Sequence, residues 1–308
     1  MRELVILGTA AQVPTRDRNH NGYFLRWDND GFLFDPGEGT QRQMTYAEIS
    51  ASSISHIALS HFHGDHCLGL PGVIQRLNLD KSPRTIKACF PSSGQCFFEA
   101  MTHASLFQSI VGIEPFPIES AGIITENDMY CFSCLPLEHR TECYGYRFQE
   151  KDQRTLNMSE IQRKNIMLKG AQIGELKKNG WIRLENGETL NLSEVSTNRP
   201  GQSFAFIMDT RICENAYKLA DHADIVICEA TFLDSEEQQA YEYMHLTARQ
   251  AAMVARDSGA RMLILSHFSQ RYLSLSDHLK QAREIFENTH IAHDLDRFVF
   301  PKRQRILN

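Results

Sequence analysis

The sequence predicts a layered α/β fold, in which helices pack on sheets of buried strands. Short apolar runs recur along the 308 residues, and segments with helical periodicity lie between them. Such alternation is typical of layered α/β domains. Several of the runs end in His, Asp or Glu, which indicates functional loops at the carboxyl ends of the strands. The runs are LVILGTA (4–10), GFLFDPGEG (31–39), ISHIALSHFHGDH (54–66), SFAFIMDT (203–210), DIVICEAT (224–231) and RMLILSHFS (261–269).

Three segments carry the clearest helical patterns: TQRQMTYAEI (40–49), TARQAAMVARDSG (247–259) and DHLKQAREIFEN (277–288). The second ends at Gly259, a residue type that commonly terminates helices. Strands cluster in the first 150 and the last 110 residues, with no Pro/Ser-rich linker between them. We therefore expect residues 1–308 to form one domain of two half-sheets.

The bulk composition is that of an ordinary globular protein. Apolar residues make up 42% of the chain and the net charge is −6, which argues against disorder and against a globally basic nucleic-acid-binding protein. Before Gly8 the N-terminus has an apolar run of only four residues, too short for a signal-peptide core or a membrane span. We expect a cytoplasmic protein without membrane association, whose eight cysteines are reduced thiols.

Residues 151–183 differ in charge from their surroundings. They contain eight Lys/Arg and three Asp/Glu, a local charge of +5 that leaves −11 for the remainder. Gly170, Gly174 and Gly180 punctuate the segment and predict an extended, inserted arm with a flexible tip. The segment is either a solvated surface insertion or a local binding site for a polyanion.

The stretch HFHGDH contains four ligand-type side chains in six residues, directly after an apolar run. Metal binding requires such groups to come within about 2.0–2.2 Å of one cation. If the strand continues through His61 and His63, both side chains lie on one face. A turn at Gly64 would then bring Asp65 and His66 to the same end of the strand. The cluster therefore predicts a metal site.

The pattern His61-x-His63-x-Asp65-His66 resembles the signature of the metallo-β-lactamase fold hydrolases. This resemblance implies a four-layer αββα sandwich and further ligands at later strand ends. His139 in LPLEHR, Asp209 in FAFIMDTR and His267 in LILSHFSQRY stand at the matching places. The resemblance implies two Zn²⁺ per subunit, with Mn²⁺ or another divalent ion possible. It assigns His61, His63 and His139 to one ion, Asp65, His66 and His267 to the other, and Asp209 as the bridge.

Six segments are similar to ribonuclease Z (tRNase Z) in its short form: residues 7–26, 34–44, 60–73, 229–232, 245–252 and 266–272. The resemblance implies an endoribonuclease that removes the 3′ trailer from precursor tRNA and leaves a 3′-hydroxyl on the tRNA. A hydroxide activated by the metal ions would attack the phosphodiester. The family also implies a homodimer, in which the arm of one subunit serves the active site of the other.

The resemblance implies roles for three residues near the metal site. Asp65 would orient the hydroxide or accept its proton as a general base. His245, in MHLTA, would protonate the leaving 3′-oxygen or stabilise the phosphate. Glu229, in EATF, would keep that imidazole protonated, since a nearby carboxylate raises a histidine pKa.

Two further regions would bind RNA. Pro14, Arg18 and Asn19 match a family loop that recognises nucleotides beside the cut. The basic arm corresponds to the family's exosite, in which Lys164, Lys169, Lys177 and Lys178 would contact phosphates and make binding salt-dependent. The chain departs from the family pattern at the arm tip, which has no proline between Met167 and Gly180, and at Cys228, where relatives often have histidine.

Two other functions are compatible with the sequence. One is a dinuclear hydrolase of the same fold that acts on small phosphodiesters or is arylsulfatase-like, which would not need the basic arm. The other is a non-catalytic RNA-binding subunit that has lost its metals, which the complete ligand set argues against.

Overall fold

The computed structural model describes residues 2–301. They form two compact units, the first from residues 2–149 and 203–300 and the second from residues 150–202 with residue 301. Strands are numbered β1–β20 and helices α1–α10 along the chain. None of the helices in the described range combines the length and apolar character that a membrane span requires.

The first unit contains two seven-stranded sheets. The first sheet has the order β20-β1-β3-β4-β5-β6-β7 and is antiparallel from β20 to β4 and parallel from β4 to β7. Its strands are β1 (Arg2–Gly8), β3 (Gly22–Trp27), β4 (Asp30–Phe34), β5 (His56–Ala58), β6 (Ile86–Pro91), β7 (Ile113–Ile118) and β20 (Arg297–Val299). Almost every residue of β1, β3 and β4 is buried, as expected for strands covered on both faces.

The second sheet has the order β19-β17-β16-β15-β10-β9-β8, and its strands from β15 to β19 are parallel. Its members are β8 (Gly122–Glu126), β9 (Tyr130–Leu137), β10 (Cys143–Glu150), β15 (Ser203–Ile207), β16 (Ile225–Glu229), β17 (Leu263–Ser266) and β19 (Thr289–Ile291). A short parallel pair, β2 (Ala10–Ala11) with β18 (Phe268–Ser269), lies outside both large sheets.

The two sheets pack face to face through a core that is rich in aromatic residues. Phe34 of the first sheet stacks on Phe206 of the second, with ring centroids 4.8 Å apart and planes inclined by 22°. The outer face of the first sheet packs on α1 (Thr40–Tyr46), α3 (Leu70–Leu79) and α4 (Gln95–Thr102). That of the second packs on α7 (Glu214–Ala220), α9 (Ala248–Asp257) and α10 (Ser276–Arg283). The layers are therefore αββα, and the predicted fold class is confirmed.

Local sequence explains how α9 starts and stops. Thr247 accepts a hydrogen bond from the Gln250 amide at 3.2 Å, and the Gln250 side chain accepts one from the Thr247 amide at 3.1 Å. Four alanines and a valine form the buried face. Gly259 then adopts φ +66°, which a residue with a β-carbon rarely tolerates. Helices α1 and α10 end earlier than predicted, at Tyr46 and Arg283 rather than at 49 and 288.

The prediction for HFHGDH was wrong in one respect. Strand β5 ends at Ala58, so His61 and His63 lie on the loop after it rather than on one face of a strand. Gly64 is the first residue of the short helix α2 (Gly64–Cys67), which carries Asp65 and His66. Loop and helix geometry, not strand alternation, brings these side chains together.

The second unit is a small folded body with a core of its own, whereas the sequence predicted an extended segment. Gly170 and Gly174 lie inside helix α6 (Gly170–Asn179), and Leu176 of that helix is fully buried. The remaining elements are α5 (Met158–Arg163) and the hairpins β11 (Gln153–Leu156) with β14 (Ser196–Arg199) and β12 (Trp181–Arg183) with β13 (Thr189–Asn191). Its other buried core residues are Ile161, Ile182, Leu190, Leu192 and Val195.

Candidate metal centre and active site

The candidate ligands lie at the carboxyl ends of strands. His61 and His63 follow β5, His139 follows β9, and Asp209 follows β15. His267 directly follows β17 in a left-handed conformation, φ 59°. Because neighbouring strand ends meet at one edge of the sandwich, residues as distant in sequence as His66 and His267, 201 positions apart, become neighbours.

The structure brings all seven side chains together in two of the three groups of described residues that could each hold a metal ion; the third group joins Asp209 and His267 to His245. One group contains His61, His63, His139 and Asp209, and the other contains Asp65, His66 and His267. The potential ligand atoms within each group lie within 4.8 Å of one another. Asp209 also reaches the second group, since its Oδ2 lies 3.4 Å from His66 Nε2 and its Oδ1 lies 3.3 Å from His267 Nε2.

Hydrogen bonds outside the ligand set fix the tautomers of His61 and His66. Asp35 accepts the Ser60 hydroxyl at 2.6 Å, so Ser60 Oγ is the acceptor for His61 Nδ1 at 2.9 Å. Asp35 also accepts His66 Nδ1–H at 2.8 Å. Both imidazoles therefore carry a proton on Nδ1, which leaves Nε2 with a lone pair directed into the site when the ring is neutral.

The same reasoning applies to His267 and His139. Thr231 donates its hydroxyl to Glu229 at 2.6 Å and so accepts His267 Nδ1–H at 2.7 Å. His139 Nδ1 donates to the Met244 carbonyl at 3.1 Å. His63 instead turns its Nδ1 inwards, 2.8 Å from His61 Nε2 and 3.3 Å from His139 Nε2.

The convergent atoms fit a cation. Five imidazoles turn nitrogens towards one another, and Asp209 Oδ1 is buried without a hydrogen-bond partner among the described residues. Burial lowers the pKa of His61, which favours the neutral, ligating form. Burial would also lower the pKa of His66, but Asp209, Asp65 and Asp35 outweigh it and raise that pKa well above its usual value. Neutral imidazoles and carboxylates are ligands that divalent ions such as zinc accept.

Asp65 is one of the candidate ligands and also lines the open cleft beside them. Burial would raise its pKa, but His66 and His267 lower it far below the usual range, so the carboxylate is ionised. The backbone amide of Gln12, a residue with φ 58°, donates to Asp65 Oδ2 at 2.8 Å. The loop after β2 therefore occupies one acceptor position of the Asp65 carboxylate. The sequence did not predict this contact.

His245 lies against the buried Glu229 and outside the seven-residue ligand set. Its Nδ1 is 2.9 and 3.0 Å from the two Glu229 oxygens, which leaves Nε2 as the nitrogen available in the cleft. Burial lowers its pKa, but Glu229 and Asp209 overcome that effect and raise the pKa to about 9. Glu229 also accepts the amides of Thr210 and Leu246, so its position is rigid.

The residues predicted to recognise nucleotides have different surroundings. Pro14 is exposed. Arg18 donates to the carbonyls of Ser269 and Tyr272, and the Asn19 side chain donates to those of His20 and Glu38. The side chains of Arg18 and Asn19 therefore brace the loop from 12 to 20 rather than point freely into solvent.

Asp294 is a further brace for this loop that sequence reasoning missed. The Asn19 amide donates to it at 2.6 Å and the Thr9 hydroxyl at 2.9 Å. Burial raises its pKa to about 6. Asp35, Ser60 and Thr231 were missed as well. Their positions in the sequence could have indicated a role, because each adjoins a strand end: Asp35 in FDPGEG, Ser60 in LSHFHGDH and Thr231 in EATF.

Four lysines of the second unit, Lys164, Lys169, Lys177 and Lys178, are exposed. Lys164 pairs with Glu194 at 2.6 Å, and Lys169 lies 3.8 Å from Glu185. Lys177 and Lys178 stand in the last turn of α6, where no ion pair to a described residue engages them. Residues 150–202 contain nine Lys/Arg and seven Asp/Glu, a net charge of +2, because Glu150, Glu185, Glu188 and Glu194 offset part of the basic excess of residues 151–183.

A cleft of about 310 Å³ opens over the candidate ligands. Its wall includes His245, Phe232, Tyr243 and Arg140, together with Gln12 and Arg271. The cleft therefore joins a cation-binding cluster, an imidazole held protonated and cationic side chains. This combination suits the binding and hydrolysis of a phosphate ester.

Comparison with known proteins agrees with this architecture. Residues 15–119 match the family model of the metallo-β-lactamase superfamily, and residues 171–268 match a β-lactamase superfamily domain. The short form of human tRNase Z superposes with a TM-score of 0.71 at 22% identity, covering 97% of this chain and 100% of that one. At this identity the structural similarity supports the fold.

Closer sequence relatives give the family. A protein named ribonuclease Z from Nocardia farcinica is 48% identical over 98% of this chain and 99% of its own length. Ribonuclease Z of Streptomyces avermitilis is 47% identical over the same shares, and that of Protochlamydia amoebophila 41% over 98% of each chain. With identity above 40% along the whole length, and with the complete cluster of ligand-type residues in place, this chain belongs to the ribonuclease Z family.

Proposed function

We propose that this protein is a divalent-metal-dependent endoribonuclease that removes the 3′ trailer from precursor tRNA and leaves a 3′-hydroxyl on the tRNA. The observation that carries the proposal is the convergence of seven ligand-type side chains beside the His245–Glu229 pair. It occurs in a chain 38–48% identical to proteins named ribonuclease Z.

The proposed cofactor is two Zn²⁺ per subunit, with Mn²⁺ or another divalent ion as the alternative. His61, His63 and His139 would hold one ion and Asp65, His66 and His267 the other, with Asp209 shared between them. Bound ions would lower the pKa of a coordinated water towards 7 and offset the charge of the phosphate. The tautomers imposed by Asp35, Ser60 and Thr231 support this assignment, because they direct unprotonated nitrogens into the site.

Asp65 and His245 would each carry out one of the two proton transfers of the reaction. Asp65 is ionised and faces the ligand cluster, so it can accept a proton from the attacking water or orient it. His245 is protonated at neutral pH because of Glu229, so it can donate a proton to the leaving 3′-oxygen. The two groups hold opposite protonation states at the same pH, which is what general acid–base catalysis requires.

RNA binding would involve two regions outside the metal site. The loop bearing Pro14, Arg18 and Asn19 would contact nucleotides beside the cut, with Arg18 and Asn19 acting mainly by shaping that loop. Lys177 and Lys178, with Lys164 and Lys169 partly neutralised by glutamates, would contact phosphates of the tRNA body. A homodimer and a cytoplasmic location stay predictions from the family resemblance and the sequence. Sedimentation of the purified protein tests the first.

The function is tested with Asp65→Ala and a labelled precursor tRNA. We expect the variant to lose nearly all cleavage while binding the precursor with less than a threefold change in Kd, because the proposed phosphate contacts lie on other residues. Metal analysis of both proteins accompanies the assay. Hydrolysis of a small chromogenic phosphodiester by the wild type without any cleavage of the precursor would instead favour the small-substrate alternative.

A further inference from the structure

Arg140 and Tyr243 form an arginine–aromatic pair in the wall of the cleft. The Arg140 guanidinium carbon lies 4.6 Å from the centroid of the Tyr243 ring, and one of its nitrogens donates to the Glu242 carbonyl at 3.0 Å. The Tyr243 ring is in turn nearly parallel to Phe232, inclined by 8° with centroids 6.3 Å apart. Three side chains that line the cleft thus form one supported layer.

The charge of Arg140 is uncompensated, unlike that of two comparable arginines. Arg211 lies 5.2 Å over Tyr241 but pairs with Glu138 at 2.8 Å, and Arg271 lies 5.2 Å over Phe232 and pairs with Glu236 at 3.3 Å. Within residues 2–301 no carboxylate pairs with Arg140, which is exposed. A guanidinium has five donors and a flat face, so Arg140 fits a ligand that is both planar and anionic.

The Arg140–Tyr243 pair lies near His245, the residue proposed to protonate the leaving 3′-oxygen. Tyr243 precedes His245 by two residues, Arg140 follows His139, and the ring centroids of His139 and His245 are 5.1 Å apart. The Phe232 ring lies next to both Tyr243 and His245, and the ring centroids of Phe232 and His245 are 6.0 Å apart. A nucleotide whose 3′-oxygen lies against His245 would therefore be adjacent to this part of the wall.

We propose that Arg140, supported by Tyr243, stacks on the base of the last nucleotide that remains in the tRNA, the nucleotide that carries the leaving 3′-oxygen. This inference rests on the proposed function. Arginine planes and aromatic rings are the surfaces on which proteins stack unpaired RNA bases. Stacking there would hold the leaving oxygen against His245, so Arg140 would be a binding and positioning residue for cleavage.

The test combines Arg140→Ala with precursor tRNAs that lack one base. Three precursors are compared: intact, abasic at the last nucleotide of the tRNA, and abasic at the first nucleotide of the trailer. We expect Arg140→Ala to lower kcat/KM on the intact precursor about tenfold to a hundredfold, the range measured for loss of one stacked base. On the precursor abasic at the last tRNA nucleotide the loss should shrink to less than threefold, and on the trailer-abasic precursor it should persist in full.

Arg211→Ala is the matched control, because it removes an arginine from the neighbouring tyrosine outside the cleft and should leave all three rates unchanged. Arg140→Lys keeps the charge but not the plane, and should recover only a minor part of the loss. An equal loss from Arg140→Ala on all three precursors, or a loss abolished only by the trailer-abasic precursor, overturns the proposal. Failure of the wild type to cleave the intact precursor would refute the proposed function instead.

Discussion

The pairing of Glu229 with His245 makes a quantitative prediction about pH. Raising the pKa of the His245 imidazole from 6.5 to about 9 favours its protonated form by about 3 kcal/mol, since each tenfold change in an ionisation constant corresponds to about 1.36 kcal/mol. Burial acts in the opposite direction, so the carboxylates supply the whole effect. Glu229 is the largest contributor among them and Asp209 the next.

Substitution Glu229→Gln removes that charge and keeps the side-chain size. The pKa of His245 should then fall by about 2, because an adjacent opposite charge shifts a pKa by about 1–3 and the opposing effect of burial remains. If His245 acts as a general acid, the alkaline limb of the pH profile of kcat/KM should move to lower pH by the same amount. Well below that limb, wild type and variant should cleave at similar rates.

The assay is single-turnover cleavage of precursor tRNA between about pH 5 and pH 10, with an NMR titration of His245 in the same proteins. Glutamine presents an amide where Glu229 accepts four donors, so some stability will be lost, about 1–3 kcal/mol. Denaturation curves establish that the variant is folded at the assay temperature. Glu138→Gln, which removes an exposed carboxylate paired with Arg211, is the control. An alkaline limb at the same pH in Glu229→Gln and wild type would refute the reasoning.

Three further predictions concern other parts of the molecule. Asp35→Asn should weaken metal binding about 10- to 100-fold, measured by chelator competition, because Asp35 fixes His66 directly and His61 through its neighbour; unchanged affinity would contradict that role. Replacing Lys177 and Lys178 together by alanine should weaken precursor binding and reduce the slope of log K against log salt by up to about 2, and an unchanged slope would exclude phosphate contacts there. Burial raises the pKa of Asp294 to about 6, so its contribution to stability is complete below about pH 4 and is lost as pH rises through 6. Relative to Asp294→Asn, the wild type should lose up to about 3 kcal/mol across that interval in urea unfolding, and parallel curves would refute the assignment.

The parts of the site that the sequence revealed are those encoded by short motifs at strand ends. His61, His63, Asp65 and His66 lie within six residues, so their proximity needed no knowledge of the fold. His139, Asp209 and His267 required the family resemblance, because the packing of one sheet edge brings them to the cluster from distant positions. The role of Asp35 could not be predicted from the sequence, because its partners Ser60 and His66 lie 25 and 31 residues away.

Charge and loop conformation were harder to predict, since both depend on partners distant in sequence. Residues 151–183 do not include Glu185 and Glu194, which lie against Lys169 and Lys164 in the folded unit. Of the three glycines in this segment, Gly170 and Gly174 are accommodated in α6, where burial of Leu176 outweighs their low helix propensity, and Gly180 terminates the helix at φ 79°. Tertiary packing determined the local structure in this segment.

The central claim is that the metal cluster and the His245–Glu229 pair cleave precursor tRNA at one bond. Incubation of the metal-loaded protein with 5′-labelled precursors, with and without an encoded CCA, tests this most directly when the product ends are mapped to the nucleotide. We predict a single chelator-sensitive cut at the junction of tRNA and trailer, after the discriminator base or near the CCA end, that leaves a 3′-hydroxyl on the tRNA. An intact precursor, or cuts scattered along unpaired RNA and insensitive to chelator, would contradict the claim.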